Sequence, residues 1–211
     1  MKKVILFDFD GVFIDSFPFI LGILQRLHQE HGMPPITAEQ LKELSEGNVW
    51  KNYEAFGVRG ERKQIFQKAI VKAYLENQKD INFFLGMKQC VTEIAEDATL
   101  IIISSNFTAV IQQLLEREHM ETYFREILGA EIEGHKEEKI QKFMRENGIQ
   151  PQDMYLVTDT TGDILEVKSL GIHTIAVTWG FHESERFKKS NATAILHSPE
   201  ELAQYLKKVI Q

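Results

Sequence analysis

Short apolar runs alternate with amphipathic helical stretches along most of the chain, and this alternation constrains the fold more than any other feature. The runs are too short for core helices and are rich in β-branched residues, which is typical of strands buried on both faces. They cover residues 4–7, 99–103, 154–157 and 173–177. Strands that alternate with helices predict βαβ units, and therefore an α/β fold with a doubly wound, mostly parallel sheet of Rossmann-like type.

A stretch of purely helical character interrupts the alternation after the first run. Residues 17–27 place apolar side chains on one helical face, and residues 65–75 do the same. Between them, Thr37 and Gln40 have the spacing of a capping box, which predicts another helix start. We therefore predict an all-helical cap, residues 15–81, inserted into an α/β core formed by residues 1–14 and 82–211.

Composition excludes several classes of function. The 211 residues include 24 basic and 31 acidic side chains, a formal net charge of −7, which opposes binding to nucleic acid or to an anionic membrane surface. The single cysteine, Cys90, allows no internal disulfide, and we interpret it as a small buried apolar residue. Asp8 and Asp10 interrupt the N-terminal apolar run before it reaches the length of a signal or membrane segment. We expect a cytoplasmic monomer or homodimer with no nucleic-acid or membrane partner.

Two carboxylates follow directly on the first predicted strand. Asp8 and Asp10 are separated by Phe9 and followed by Gly11. They lie at the carboxyl end of the strand, where open parallel sheets bind ligands. Like charges placed so close repel each other unless a cation or a proton lies between them. A hard divalent cation with oxygen ligands meets that need, and a solvated acidic turn is the alternative.

Other polar residues also follow predicted strands or begin predicted helices. Ser104 follows the second run and can donate to a phosphate oxygen, or it can simply cap the next helix. Lys136 begins a helical stretch, where the helix dipole disfavours a cation, so we interpret it as a functional charge rather than a solvated lysine. Asp159 and Asp163 follow the third run and complete an oxygen-rich cation site, unless they serve as helix caps.

In chain order, these segments resemble the four motifs of the haloacid dehalogenase superfamily, in the phosphatase branch with a helical cap inserted after the first motif. The matching segments are DFDGVFIDS at 8–16, ISSN at 103–106, Lys136, and DTTGD at 159–163. The tail, with VTWGF at 177–181 and SPEEL at 198–202, is similar to phosphoglycolate-phosphatase-type members. The resemblance covers the whole chain, although the cap matches only in its helical character.

The resemblance implies catalytic and phosphate-binding roles. Asp8 would attack phosphorus and form an aspartyl phosphate, while Asp10 would protonate the leaving oxygen and then activate water. The residues implied to hold the phosphoryl group are Ser104, Ser105, Asn106 and Lys136.

The resemblance also implies Mg²⁺ as the cofactor. Its ligands would be Asp8, the main-chain carbonyl of Asp10, and Asp159, with Asp163 in support. The sequence departs from the family at Thr158, where many members carry Gly or Glu. The bulk and hydroxyl of threonine bear on the metal geometry, and the absence of Glu argues against a sugar-phosphate mutase.

We therefore predict a magnesium-dependent phosphatase that hydrolyses a small phosphorylated metabolite through an aspartyl phosphate. The alternatives are a sugar-phosphate mutase and a phosphoacceptor signalling module, although such modules are much shorter and lack the insertion after the first strand. In the cap, Asn48, Trp50 and Lys51 are the predicted substrate residues. Lys51 would pair with a second anionic group such as a carboxylate, which Asn48 would also bind, and Trp50 would form a pocket wall. The alternative is that Trp50 packs in the cap core and Lys51 is solvated.

Overall fold

A six-stranded sheet forms the centre of the molecule. The computed structural model describes residues 2–46 and 49–211. The strands are β1 (Val4–Phe7), β2 (Thr99–Ile103), β3 (Phe124–Leu128), β4 (Met154–Thr158), β5 (His173–Val177) and β6 (Ala194–Leu196). Their order across the sheet is β3-β2-β1-β4-β5-β6, and every neighbouring pair is parallel. The predicted α/β class with a parallel sheet is confirmed.

Helices pack on both faces of this sheet because the central strands are apolar on both faces. In β1, Ile5 and Phe7 belong to one hydrophobic cluster, whereas Val4 and Leu6 belong to another. The α-helices are α1 (Phe17–Glu30), α2 (Ala38–Leu44), α3 (Val49–Ala55), α4 (Glu61–Glu76), α5 (Met87–Ile94), α6 (Thr108–Arg117), α7 (Lys136–Asn147), α8 (Thr161–Glu166), α9 (Ser184–Phe187) and α10 (Pro199–Ile210). The first cluster joins the sheet to α5, α6 and α10, and the second joins it to α7.

Helices α1 to α4, here called the cap, follow β1 and precede β2. They have a hydrophobic core of their own, in which Leu24, Leu41 and Phe66 are buried. The predicted capping box is present at the start of α2, where Thr37 Oγ1 accepts from the Gln40 amide at 3.2 Å and Gln40 Oε1 accepts from the Thr37 amide at 2.9 Å. The boundary residues 15 and 81 stay a prediction.

The two segments that join the cap to the sheet run side by side. Ile14 and Phe83 form an antiparallel bridge, and the Asp15 amide donates to the Asn82 carbonyl at 2.9 Å. This pairing holds the segment that enters the cap and the segment that leaves it close to the end of β1. The end of the cap is therefore held beside Asp8 and Asp10.

Strands β3 and β6 were missed because both lie at an edge of the sheet. Edge strands need no apolar residues on both faces, and β3 carries the exposed side chains Arg125 and Glu126. Strand β6 has only three residues, which is too short for a periodic pattern. Within residues 2–46 and 49–211, no helix has the length and apolar character needed to cross a bilayer.

The cysteine in α5 gives a test of the core. Cys90 is 1% exposed, and burial raises the pKa of its thiol to about 12. At pH 8 its thiolate fraction is then about one in ten thousand, against roughly a quarter for an unperturbed thiol. We expect a colorimetric thiol reagent to react on the order of a thousandfold more slowly with the native protein than with protein in guanidinium chloride. Equal rates would contradict this packing.

Candidate active site

Asp8 lies at the carboxyl end of the central strand β1. Its amide donates to the Val157 carbonyl at 2.9 Å, and the Phe9 amide donates to Asp8 Oδ1 at 2.7 Å. Gly11, three residues later, has a φ of +74°, and a Cβ there would lie 1.8 Å from Asp159 Oδ2. Glycine is therefore required at this turn, because a side chain would displace the Asp159 carboxylate.

Lys136 connects two carboxylates. It is the first residue of α7, and its Nζ lies 2.7 Å from Asp8 Oδ2 and 2.6 Å from Asp163 Oδ2. Burial opposes the charge on Lys136, but the two carboxylates raise the pKa of its ammonium above the ordinary value. Burial raises the pKa of Asp8, and Lys136 opposes that rise. A cation thus lies against Asp8, and the solvated-lysine alternative is wrong because Lys136 is only 6% exposed.

Asp159 has one satisfied and one unsatisfied oxygen. The Phe181 amide donates to Asp159 Oδ2 at 2.7 Å, whereas the buried Oδ1 has no hydrogen-bond partner among the described residues. Burial raises the pKa of Asp159 to about 7, although the Phe181 amide opposes the rise. A buried, unpartnered carboxylate oxygen is unfavourable unless a ligand completes it.

Two threonines near Asp159 make side-chain hydrogen bonds at the start of α8. The N-cap of α8 is Thr160, whose side chain accepts from the Asp163 amide, so neither Asp159 nor Asp163 caps the helix. The Thr158 hydroxyl donates to Asp163 Oδ2 at 2.6 Å. Threonine at this position therefore orients Asp163 instead of leaving it free to rotate.

Asp10 accepts hydrogen bonds from two neutral side chains of the part of the chain that the structure describes. The Tyr74 hydroxyl, from α4 of the cap, donates to Asp10 Oδ1, and Asn106 Nδ2 donates to Asp10 Oδ2 at 3.1 Å. Burial raises the pKa of Asp10, and the Tyr74 hydrogen bond opposes the rise. Asp8 and Asp10 thus differ in environment, since Asp8 contacts a cation and Asp10 contacts neutral donors.

The end of β2 contributes Ser104, Ser105 and Asn106. Ser104 is buried, and its Oγ accepts from the Asn106 amide at 3.1 Å. Helix α6 begins only at Thr108, so the helix-cap alternative for Ser104 is wrong. Ser105 is exposed and Asn106 is buried.

All eight core residues predicted from the sequence line one cavity of about 530 Å³ between the sheet and the cap. They are Asp8, Asp10, Ser104, Ser105, Asn106, Lys136, Asp159 and Asp163. The chemical role of each one stays a prediction. The placement follows from the topology, because β1, β2 and β4 are neighbours and end at the same edge of the sheet.

The predicted cap residues are placed differently from one another. Trp50 lines the cavity and also packs near Tyr53, with ring centroids 6.1 Å apart. Lys51 is exposed and is not among the described residues that line the cavity. Asn48 lies outside the described residues. Lys63, from α4, is a cap cation that does line the cavity, and the sequence analysis did not single it out.

A second group of contacts holds the cap against the sheet domain. Arg186 pairs with Glu39 and Glu46 of the cap, and Lys42 pairs with Glu183. The fully buried His182 accepts from the Thr161 amide at Nδ1, so its Nε2 carries the proton and donates to the Lys42 carbonyl at 2.9 Å. Together with the Tyr74–Asp10 contact, these interactions hold the cap in direct contact with the sheet domain around the cavity.

Comparison with known proteins identifies the family. A sequence profile described as haloacid dehalogenase-like hydrolase matches residues 5–177. The chain belongs to this family. The predicted family and the predicted hydrolase class are therefore confirmed.

Individual family members are similar over nearly the whole chain. A protein of Synechococcus elongatus named phosphoglycolate phosphatase is 22% identical over 203 residues, which cover 96% of each chain. A protein of Dickeya dadantii named probable phosphatase IndB is 24% identical over 206 residues, which cover 93% of this chain and 90% of that one. The structure of a haloacid dehalogenase-like hydrolase from Streptococcus pneumoniae has a TM-score of 0.82 at 22% identity, with 97% and 98% of the two chains covered. This likeness shows a shared fold.

The carboxylates of the haloacid dehalogenase-like site suit a hard divalent cation. Among the described residues, no group of three or more Asp, Glu, His or Cys side chains forms a metal site by itself. The ligand set that the sequence resemblance implies needs only two side chains, Asp8 and Asp159, besides the carbonyl of Asp10. The unpartnered Asp159 Oδ1 is free to bind a cation, and oxygen ligands are those that Mg²⁺ prefers.

Proposed function

We propose that the chain is a magnesium-dependent phosphatase that hydrolyses a small phosphomonoester through an aspartyl phosphate on Asp8. The observation that carries the proposal is the contrast between two neighbouring carboxylates that line one cavity. Asp8 contacts the ammonium of Lys136, whereas the hydrogen bonds that the described residues make to Asp10 come from the neutral side chains of Tyr74 and Asn106. The names of the curated relatives, phosphoglycolate phosphatase among them, support the same reaction class.

Asp8 is suited to act as the nucleophile. Lys136 favours its carboxylate form and lies close enough to bind a phosphoryl oxygen as well. A carboxylate nucleophile divides the hydrolysis of a phosphate ester into two steps, formation and breakdown of an acyl phosphate. Lys136 reduces the repulsion between the anionic nucleophile and the anionic substrate.

Asp10 is suited to act as the acid and then as the base. Because burial raises its pKa, Asp10 retains a proton to a higher pH than an exposed carboxyl does. It can deliver that proton to the leaving oxygen and afterwards take one from the attacking water. Burial raises the pKa of Asp8 as well, so the two steps are assigned from the contacts of each carboxylate. Asp8 lies against the ammonium of Lys136, whereas the described side chains that bond Asp10 are neutral.

The remaining residues bind the phosphoryl group and the cation. Ser104 and Asn106 lie at the end of β2 and have donors for phosphoryl oxygens. Asp8, Asp159 and the main-chain carbonyl of Asp10 would hold Mg²⁺, with Asp163 in support. When bound, Mg²⁺ neutralises negative charge on the transferring group. Lys136 and the hydroxyl of Thr158 keep Asp163 in place.

Release of inorganic phosphate from a panel of phosphomonoesters tests the proposed function. We expect release with Mg²⁺ and a loss of release with excess EDTA, restored by added Mg²⁺. The panel includes 2-phosphoglycolate, phenyl phosphate, simple alkyl phosphates and a hexose 1-phosphate. Conversion of the hexose phosphate to its isomer without phosphate release would instead favour the sugar-phosphate mutase.

Tyr74 gives a prediction about a residue that acts through Asp10. A hydrogen bond between neutral groups contributes about 0.5–1.5 kcal/mol, so Tyr74→Phe is expected to lower kcat roughly twofold to tenfold for an alkyl phosphate. The loss is expected to be smaller for phenyl phosphate, whose leaving group needs less protonation.

The control for Tyr74→Phe is Tyr205→Phe on α10, which removes a hydroxyl away from the cavity. We expect that variant to keep the wild-type kcat for both esters. A loss in Tyr74→Phe that is the same for alkyl and phenyl phosphates would contradict a role in positioning Asp10.

A further inference from the structure

Most of the described cap residues that line the cavity are apolar. Six of its lining residues are Ile20, Leu24, Val49, Trp50, Ile70 and Val71. Two polar side chains that also line it make hydrogen bonds inside the cap. The Ser45 hydroxyl donates to the Leu41 carbonyl at 3.0 Å, and the Tyr53 hydroxyl pairs with His28 Nε2 at 2.6 Å. These two groups are therefore already satisfied by the cap itself.

Along helix α4, the side chains that line the cavity change from apolar to polar with increasing distance from Tyr74. Its lining residues are three, four or one position apart and therefore share one helical face: Lys63, Gln67, Ile70, Val71 and Tyr74. Tyr74 is at the catalytic end, where it contacts Asp10. At a rise of 1.5 Å per residue, Ile70 is about 6 Å from Tyr74 along the axis and Lys63 about 16 Å.

This spacing separates the cap cation from the reacting phosphate. Along the axis of α4, Ile70 and Val71 lie between Tyr74 and Lys63. For a substrate whose ester oxygen lies near Tyr74, a carboxylate one carbon away is therefore closer to the level of Ile70 and Val71 than to that of Lys63. Placing a carboxylate among apolar side chains without a partner is costly. The face of α4 that lies nearest to Asp10 therefore fits an apolar group and not an anionic one.

The volume of the cavity exceeds the needs of a two-carbon leaving group. At about 30 Å³ per water, 530 Å³ has room for roughly 18 waters. Cavities of about 300–1,000 Å³ enclose ligands of drug size. The space does not come from a lifted cap, because Tyr74 contacts Asp10 on one side and Arg186 contacts Glu39 and Glu46 on another.

We propose that the preferred substrates are phosphomonoesters of a bulky apolar alcohol, with an aromatic ring or an alkyl chain of several carbons, and not short carboxylated phosphoesters. This inference rests on the proposed phosphatase activity and adds the chemical class of the leaving group. The phosphoryl group lies among the polar residues at the strand ends, and the alcohol packs against Ile70, Val71 and Leu24. Lys63 and Gln67 mark the far polar edge of the cavity.

A series of primary alkyl phosphates tests how the size of the alcohol affects kcat/KM while the chemistry of the leaving group stays the same. Ethyl, butyl, hexyl and 2-phenylethyl phosphate release chemically similar alcohols but differ in apolar surface. We expect kcat/KM to rise about fourfold per buried methylene, the equivalent of about 0.8 kcal/mol, until the cavity is filled. We expect 2-phosphoglycolate to be a poorer substrate than ethyl phosphate. Calorimetric binding of the same esters to Asp8→Asn, which does not need turnover, is expected to follow the same order.

Two substitutions on α4 form a matched pair. Ile70→Ala removes apolar surface from the cavity wall, whereas Ile65→Ala makes the same change at an exposed position outside it. The ratio of kcat/KM for hexyl over ethyl phosphate is expected to fall about fourfold to fifteenfold in Ile70→Ala, equivalent to one or two methylene contacts. The ratio is expected to stay at the wild-type value in Ile65→Ala. Val71→Trp, which fills the cavity, is expected to lower the ratio even if Ile70→Ala folds poorly.

The outcomes distinguish the inference from the function on which it rests. If no ester in the series or the earlier panel releases phosphate, the phosphatase proposal fails and this inference with it. If phosphate is released but kcat/KM and binding are flat along the alkyl series, or are highest for 2-phosphoglycolate, the phosphatase proposal stands and the inference is wrong.

Discussion

Replacement of Asp8 by asparagine is expected to lower turnover of every phosphomonoester by about four to six orders of magnitude, as the loss of a covalent nucleophile does in other enzymes. The amide keeps the shape of the side chain but is a poor nucleophile. It also carries no charge for Lys136, which lies 2.7 Å away in the wild-type protein. Phosphate release with Mg²⁺ in excess measures the effect.

The Asp8→Asn protein is expected to remain folded. Burial raises the pKa of Asp8, and the charges of Asp163 and Asp159 add to the rise against the opposing effect of Lys136, so the neutral amide removes a charge that these surroundings disfavour. Lys136 keeps Asp163 as a partner at 2.6 Å. The thermal unfolding midpoint is therefore expected to stay at or above the wild-type value. A variant that retained wild-type turnover of any phosphomonoester would rule out Asp8 as the nucleophile.

Replacement of Asp10 by asparagine is expected to lower turnover of an alkyl phosphate about a hundredfold to ten-thousandfold, the usual range for a lost proton-transfer group. Burial raises the pKa of Asp10, which suits it to donate a proton, and asparagine cannot do so. The loss is expected to be smaller for an aryl phosphate, because a phenolate leaves without full protonation. Single-turnover measurement of the first step separates this effect from the later attack by water.

The matched control for Asp10→Asn is Asp15→Asn, five residues along the same segment. Asp15 is exposed, and its amide bonds the Asn82 carbonyl through the main chain, which the substitution does not change. We expect Asp15→Asn to keep wild-type rates. Equal losses in Asp10→Asn for alkyl and aryl phosphates in the first step would contradict the acid role.

The central part of the fold was predictable because it depends on local sequence. Strands β1, β2, β4 and β5 are apolar on both faces, and such runs stand out in any sequence. Strands β3 and β6 were not predictable, because an edge position requires less apolar surface. The capping box of α2 was predictable because Thr37 and Gln40 interact within one helical turn.

The core of the site was predictable because parallel strands end at one edge of the sheet. Asp8, Ser104 and Asp159 each follow a strand, so topology alone brings them together. Tyr74 was missed because its contact with Asp10 spans 64 residues and depends on how α4 packs. No local pattern marks a buried tyrosine hydroxyl.

The cap was the least predictable part of the site. Lys51 was chosen from its neighbours in the sequence, but it lies in the first turn of a short helix and is not among the described residues that line the cavity. Lys63 lines the cavity because of its register with Tyr74 on α4. That register is visible in the sequence only after the catalytic end of the helix is known.

Detection of the covalent intermediate tests the central claim most directly. Full-length protein with Mg²⁺ and an alkyl phosphate is quenched in acid within a single turnover, and the peptides are analysed by mass spectrometry. We expect the added mass of one phosphoryl group on the peptide that contains Asp8, in wild type and not in Asp8→Asn. Rapid phosphate release by the wild type with no phosphorylated peptide, or with the phosphoryl group on another residue, would contradict the account.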